Sequence, residues 1–264
     1  MENEDYLKIN KDLWNAKVPI HVGSDFYEQK EFMAGKTSLK DIELHLLADI
    51  KDKEVLHLQC HFGQDSLSMA RMGAKVTGID LSDEAIKMAI QMNDELGLDA
   101  QFICADVYSS PEFLNKKFDI VYTTYGVLGW LPDMQEWAQV VRHFLKPGGK
   151  MILVEFHPFV WTLDENFDHV KYYYFNKEDI TELEEGTYAD RYSTIKYESI
   201  SWNHNFSEVF QSLLNVGLHI QHFEEYDYSP YACFNKLVKI GEDKYQVEGL
   251  EGKIPMVYSL VVKA

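Results

Sequence analysis

Lys53-Glu-Val-Leu-His-Leu-Gln-Cys-His-Phe-Gly-Gln-Asp-Ser-Leu67 is the stretch that decides the fold. It reads as a short buried strand over 55–58, a tight turn, and a helix opening near Gln64. A strand that feeds a helix through such a turn gathers backbone N–H groups and the positive end of a helix dipole at one point. That point suits an anionic group. Turns of this kind carry several glycines, yet here only Gly63 remains, with Gln59 and His61 in the other places. Alone, the turn is weak evidence for any one ligand.

Working outward, strands and helices alternate. Lys75-Val-Thr-Gly-Ile-Asp80 is a second apolar strand ending in an acid, and Ser82 or Asp83 then starts a helix closed by Gly97. A third strand over 100–104 leads into Ala105-Asp106, and a fourth covers 118–123. Asp133 with Glu136 forms a capping-box-like helix start. Lys146-Pro-Gly-Gly149 reads as a turn before a fifth strand over 150–156. Upstream, 5–16 is weakly helical, 18–27 irregular and aromatic, and Ser38 a candidate N-cap for a helix through Ile50.

This alternation predicts an α/β fold, a doubly wound, mostly parallel sheet with helices on both faces. Ligands in such sheets bind beyond the carboxyl ends of the strands. After residue 156 the pattern breaks, and 158–203 reads as an inserted antiparallel region of one or two hairpins, its aromatic runs flanking the acidic 178–186. Asn205 with Glu208 caps a further helix ending at Gly217, followed by a strand over 218–226, a small hairpin arm at 245–248 and a last strand over 255–262. The expected division is an N-terminal cap segment, 1–37, and one domain, 38–264, with 158–203 inserted to cover the substrate.

Forty-six per cent of the 264 residues are apolar, enough for a full core, and 14% are aromatic. The formal net charge of −18 repels nucleic acid and anionic membrane, since phosphate binding rests on Lys and Arg. Cys60, Cys104 and Cys233 form no CxxC pair and no disulfide framework, which fits a reducing compartment. The acidic N-terminus leads into no apolar run and no segment approaches the ~20 residues that cross a bilayer, so a cytoplasmic location is expected.

Two acids stand in register with the opening turn. At the end of the second strand, Asp80 can accept both hydroxyl hydrogens of a ribose. Asp106, at the end of the third, can accept from an adenine amino group, with Leu81 and Val107 placed to sandwich the purine. Either acid alone is more often a helix cap; together they favour an adenosine ligand.

Here the chain resembles the class I S-adenosylmethionine-dependent methyltransferases over roughly 53–156. The matching segments are Val55-Leu-His57-Leu-Gln59-Cys60-His61-Phe-Gly63, Gly78-Ile-Asp80-Leu-Ser82, Ala105-Asp106-Val107, 118–125 and Leu145-Lys-Pro-Gly-Gly149. The resemblance implies a seven-stranded sheet with an antiparallel last strand and S-adenosyl-L-methionine as cofactor. It assigns cofactor contacts to His57, Gln59, Cys60, His61, Gly63, Asp80, Leu81, Asp106, Val107 and Thr123; no metal is expected. The family usually has an acid at His57 and glycines at Gln59 and His61, so the pocket for the amino-acid end is altered. Gln59 is placed to bond the ammonium or carboxylate there. Two alternatives stand beside methyl transfer: a cofactor-binding module without turnover, and a dinucleotide-dependent oxidoreductase, which would want the fuller glycine motif.

Methyl transfer from a sulfonium is an in-line displacement that mainly requires orientation and desolvation. Candidates for acid–base work are Tyr125, His157 and His204, the two histidines having structural readings (strand-end and capping) of equal or greater weight. Trp14, His21, Phe26 and Tyr27 are expected to close over cofactor, and the 158–203 insertion to roof the acceptor or to dimerise. The expected acceptor is a small, partly apolar molecule, neutral or cationic.

Overall fold

A computed structural model describes residues 4–175 and 177–264. Its centre is a seven-stranded sheet in the order β3-β2-β1-β4-β5-β11-β8. The strands are β1 (Glu54–Leu58), β2 (Lys75–Asp80), β3 (Gln101–Cys104), β4 (Phe118–Thr124), β5 (Leu145–Phe156), β8 (His219–Tyr226) and β11 (Val257–Lys263). β1 to β5 run parallel, and β11 is antiparallel to both β5 and β8. The order reverses at β1, whose neighbours are β2 and β4, and that reversal opens a crevice beyond the carboxyl ends.

The period of two in these strands feeds two separate cores. Leu56, Leu58, Met151 and Leu153 face one side, against Trp137, Val141, Val209 and Leu213. Val55, Ile152 and Val154 face the other, against Leu67, Met69, Ala85 and Met92. Both faces are therefore covered, which is why the strands read as continuous apolar runs. The helices are α4 (Gln64–Arg71), α5 (Asp83–Glu95), α6 (Ser110–Phe113), α7 (Met134–Phe144) and α8 (Phe206–Asn215). Ser82, Asp133 and Asn205 each accept the backbone N–H three residues on, as their capping patterns predict.

Several boundaries differ from the sequence expectation, each for a tertiary reason. α1 (Glu4–Gly23) runs through Pro19 into the segment expected to be irregular. The loss of about 3 kcal/mol for an interior proline is offset by burial of Leu13 and Val18, roughly 1.5–3 kcal/mol for each large apolar side chain. α2 (Gln29–Met33) and α3 (Asp41–Leu46) are short. Ser38 does not cap α3, because its hydroxyl is taken by Asp65 and Ser68 of α4. The 146–149 turn lies inside β5 as an irregularity, where the Gly148 amide donates to the Ala264 carbonyl.

The insertion is an antiparallel pair, β6 (Ile180–Glu185) with β7 (Lys196–Ser201). β6 falls in the acidic run rather than an aromatic one, since its carboxylates find cations: Glu185 pairs with Lys196, Glu182 with Lys171 and Glu184 with Lys17 of α1. A second arm pairs β9 (Leu237–Gly241) with β10 (Lys244–Val247). α1 packs on β7 and on α5, so the N-terminal segment and the insertion meet above the crevice.

Candidate active site

The opening turn keeps a glycine-like backbone without the glycines. Gln59, His61 and Gly63 have φ of 55°, 51° and 84°. For Gln and His this left-handed conformation costs on the order of 1 kcal/mol each, and named contacts hold it. The Gln59 amide donates to the Val127 carbonyl at 2.9 Å, and the His61 N–H donates to Asp80 Oδ2 at 2.8 Å. Gly63 is irreplaceable on space as well: a Cβ there would lie 2.9 Å from Ala89 Cβ and from Phe102 Cε1.

A cavity of about 450 Å³ lies over the turn. Asp80, Leu81, Asp106 and Val107 line one end with Tyr6 and Tyr108, so the structure brings the predicted adenosine contacts together. Asp80 accepts from the backbone of His61 and Ser82, and burial pushes its carboxyl up to about 6. Asp106 accepts from the amides of Tyr108 and Ser109 and from the Ser109 hydroxyl, and so also orders its own loop.

His57, Gln59, Cys60, His61 and Gly63 line the middle of the cavity. Burial lowers the His57 imidazole to about 3, so the ring is neutral, and its Nδ1 lies 2.8 Å from the Ser66 hydroxyl. His61 is likewise held neutral by burial, its Nε2 2.9 Å from Nδ1 of His21. Burial raises the Cys60 thiol, and its sulfur packs where a Gly78 Cβ would otherwise sit, at 2.8 Å. Gln59 has spent its amide on Val127, which leaves Oε1 as a buried acceptor without a partner. An unpaired buried acceptor costs about 1–3 kcal/mol, and here it sits in the turn that lines the cavity, where an ammonium would satisfy it.

The far end is aromatic, with Tyr125, Phe156, Trp161, Tyr188, Tyr231 and Phe234 in its wall. Tyr125 (φ 39°) starts a loop whose next three amides, Gly126 to Leu128, all donate to the buried Glu155 carboxylate. Glu155 thereby positions Tyr125 and the Val127 carbonyl that holds Gln59. Its signal in the sequence was only an acid within an apolar strand. Burial, then Glu43, push the Tyr125 phenol well above its ordinary value. At neutral pH it is a hydrogen-bond donor and not a base.

The remaining candidates lie away from the cavity. Thr123 is fully buried in β4 and donates to the Leu58 carbonyl at 3.3 Å. His157 accepts at Nδ1 from the Phe159 amide in the turn after β5 and donates from Nε2 to Glu225 of β8 at 2.8 Å, so both ring nitrogens are engaged. His204 bonds the Leu131 carbonyl through Nε2 at 2.7 Å, with Nδ1 3.0 Å from Glu208 on the next turn. Of the N-terminal aromatics, Trp14 packs edge-on to His61 and Trp130, and the Tyr27 hydroxyl meets that of Tyr188 at 2.5 Å.

Comparison with known proteins agrees with this geometry. A family described as "Methyltransferase domain" matches residues 55–149. A ubiquinone biosynthesis O-methyltransferase of Coxiella burnetii is 32% identical over 176 residues, 63% of this chain and 64% of the relative. A sterol 4-C-methyltransferase of Caenorhabditis elegans is 23% identical over 184 residues, 66% of this chain and 54% of the relative. The chain thus spans between about half and just under two thirds of these relatives' length. Among solved structures, an S-adenosylmethionine-dependent methyltransferase from Clostridium acetobutylicum shares the fold with a TM-score of 0.57 at 16% identity, over 96% of this chain and 98% of that one.

Proposed function

We propose that the chain is a class I S-adenosylmethionine-dependent methyltransferase that transfers a methyl group to a small, partly apolar molecule, a reading supported by the methyltransferase-domain match over 55–149 and by the strand order of the sheet. One observation carries the proposal. The acids that follow β2 and β3, and Gln59 with its buried, unpartnered Oε1, belong to the wall of a single cavity that also carries a cluster of aromatic side chains. Relatives named for ubiquinone biosynthesis and for sterol methylation support an acceptor with apolar bulk.

The residues present fit the cofactor, which when bound supplies an electrophilic methyl on a sulfonium. Asp80 would hold the ribose hydroxyls, Leu81 and Val107 the faces of the purine, and Asp106 its amino group. Gln59 would take the ammonium of the amino-acid end in place of the family's usual acid. Tyr125, held by the Glu155-bound loop, would orient the acceptor against its ring. The aromatic wall excludes water, which favours a displacement that disperses charge. His157 and His204 keep the sheet edge and the loop before α8 in place.

Several finer statements belong to the same proposal. The division into cap (1–37), domain (38–264) and roof (158–203) is supported by α1 meeting β7 over the cavity. Three free cysteines support a reducing, cytoplasmic setting, and the charge of −18 argues against a nucleic-acid partner. Among the described residues no helix is long and apolar enough to cross a membrane. A homodimer formed through the insertion remains part of the proposal.

Calorimetry with S-adenosylhomocysteine tests the cofactor. The intact protein should bind it, and Asp80→Ala should abolish binding while leaving the melting temperature within a few degrees. An intact protein that does not bind would refute the proposal.

A further inference from the structure

Beside the aromatic end of the cavity lies a group of acids and phenols that cofactor binding does not use. Glu43 of α3 is fully buried, and neither of its carboxylate oxygens has a hydrogen-bond partner. The Tyr125 hydroxyl, also buried, faces Glu43 closely enough for each to perturb the other, but without the geometry of a hydrogen bond. Asp65, at the start of α4, forms part of the cavity wall, accepting from the Ser38 hydroxyl at 2.6 Å and more distantly from Thr124 at 3.5 Å. Tyr231 and Tyr125 meet edge to face with ring centroids 5.1 Å apart, and both line the same wall.

A buried carboxylate without a partner is expensive unless something else supplies charge or protons. The acid at the N-terminus of α4 has an ordinary role through the helix dipole, but that role does not account for Glu43. The titratable groups around this pair are Tyr27, Cys60, Tyr122 of β4, Tyr125, Tyr228 and Tyr231, with Lys40 as the cation. Lys40 is already committed to Asp243 at 2.9 Å and rests on the Tyr231 ring, 5.1 Å from its centroid. The carboxyl groups therefore outnumber the positive charge available to them. Burial, and then the charge of Asp65, raise Glu43 to about 8, the direction expected of two carboxyls that share too little positive charge.

We infer that this corner is an ammonium site: the acceptor carries an amine, protonated at neutral pH, that docks on Asp65 beside the edge-to-face pair of Tyr125 and Tyr231, with Glu43 behind it. An ammonium supplies the missing positive charge, gives Asp65 a donor, and lies against electron-rich rings that favour cations. Glu43 acts through Tyr125 and Asp65 as a positioning residue and does not touch the acceptor. The inference rests on the methyl-transfer reading for calling the ligand an acceptor, but the site itself belongs to the protein with or without cofactor.

Isosteric probes test it. Calorimetry at pH 7 compares benzylamine with benzyl alcohol on the intact protein, with and without saturating S-adenosylhomocysteine. The amine should bind more tightly by about tenfold, the size expected of one ammonium gaining a carboxylate and an aromatic face. Asp65→Asn should erase that preference while S-adenosylhomocysteine affinity changes by less than about threefold. Glu43→Gln, which keeps the shape, should leave the preference at pH 7 nearly unchanged and reduce it at pH 9, where the intact protein's carboxyl has lost its proton. Equal affinity for the two probes, a preference for the alcohol, no amine binding, or a loss confined to the homocysteine product in Asp65→Asn would each overturn the site. Failure of the intact protein to bind S-adenosylhomocysteine would instead remove the methyl-transfer reading, and the amine preference of the cofactor-free protein would still decide the site.

Discussion

At Gly63 two constraints coincide, a φ of 84° and a Cβ position 2.9 Å from both Ala89 and Phe102. Gly63→Ala should therefore lose about 2–4 kcal/mol, combining backbone strain with overpacking. Urea unfolding would show this as a lower midpoint at unchanged slope, and an unchanged midpoint would contradict it. Gln59 makes the opposite kind of demand, since its backbone strain is tolerated and its side chain does the work. Gln59→Leu keeps approximate volume but removes both the bond to Val127 and the free oxygen. S-adenosylhomocysteine affinity should fall by about 10–100-fold, the range for an unmade bond to a charged group; titration calorimetry would measure it. These two residues also mark what sequence can convey. The need for φ > 0 after β1 was legible from the strand–turn–helix pattern. That Asp80 and Val127 would hold non-glycine residues in such a conformation was not, because one partner comes from the end of β2 and the other from the loop after β4, both far along the chain.

Among the elements, the loop over 125–128 depends on one side chain. Glu155 accepts from three consecutive amides of that loop and from the Phe156 amide. Glu155→Gln replaces an acceptor by a donor at one of its two oxygens and leaves amides facing an NH₂ group. Stability should fall by about 2–4 kcal/mol, and Tyr125 should lose its position, visible as altered near-UV circular dichroism. The lid has an equivalent single point, where Asn10 of α1 bonds both the N–H and the C=O of Ile200 in β7, at 3.0 and 2.8 Å. Asn10→Ala leaves two buried backbone groups unpaired and should cost about 2 kcal/mol, with faster amide exchange confined to α1 and the hairpin. Caps such as Ser82, Asp133 and Asn205 were readable because donor and acceptor lie three residues apart. The passage of α1 through Pro19, the acidic β6 and the role of Glu155 were not, since each depends on a partner contributed by another element.

For the whole molecule, the buried titratable groups set how stability varies with pH, and the two kinds act in opposite directions. His21 and His57 are held to about 3 by burial, and His61 is also lowered. In the unfolded chain they bind protons below about 6.5, so protonation there favours unfolding and stability falls as pH drops through that range. Glu43 and Asp80 are raised to about 8 and about 6. The folded protein keeps those protons where the unfolded chain has lost them, so this part of the stability is present at low pH and is lost as pH rises through the folded values. Between about 4.5 and 6.5 the lowered histidines, His143 and His157 included, oppose the raised acids, Asp65 and Glu155 included; above about 6.5 the histidines no longer differ between the states, and Glu43 alone contributes a decline of about 1.4 kcal/mol per pH unit up to about 8. An alkaline decline from about pH 6.5 follows. Chemical denaturation across pH 5–9 would locate it, and Glu43→Gln should flatten the alkaline limb alone, because glutamine cannot release the proton that the buried carboxyl gives up. An alkaline limb that persists unchanged in Glu43→Gln would assign the loss to self-repulsion of the −18 charge and not to this carboxyl.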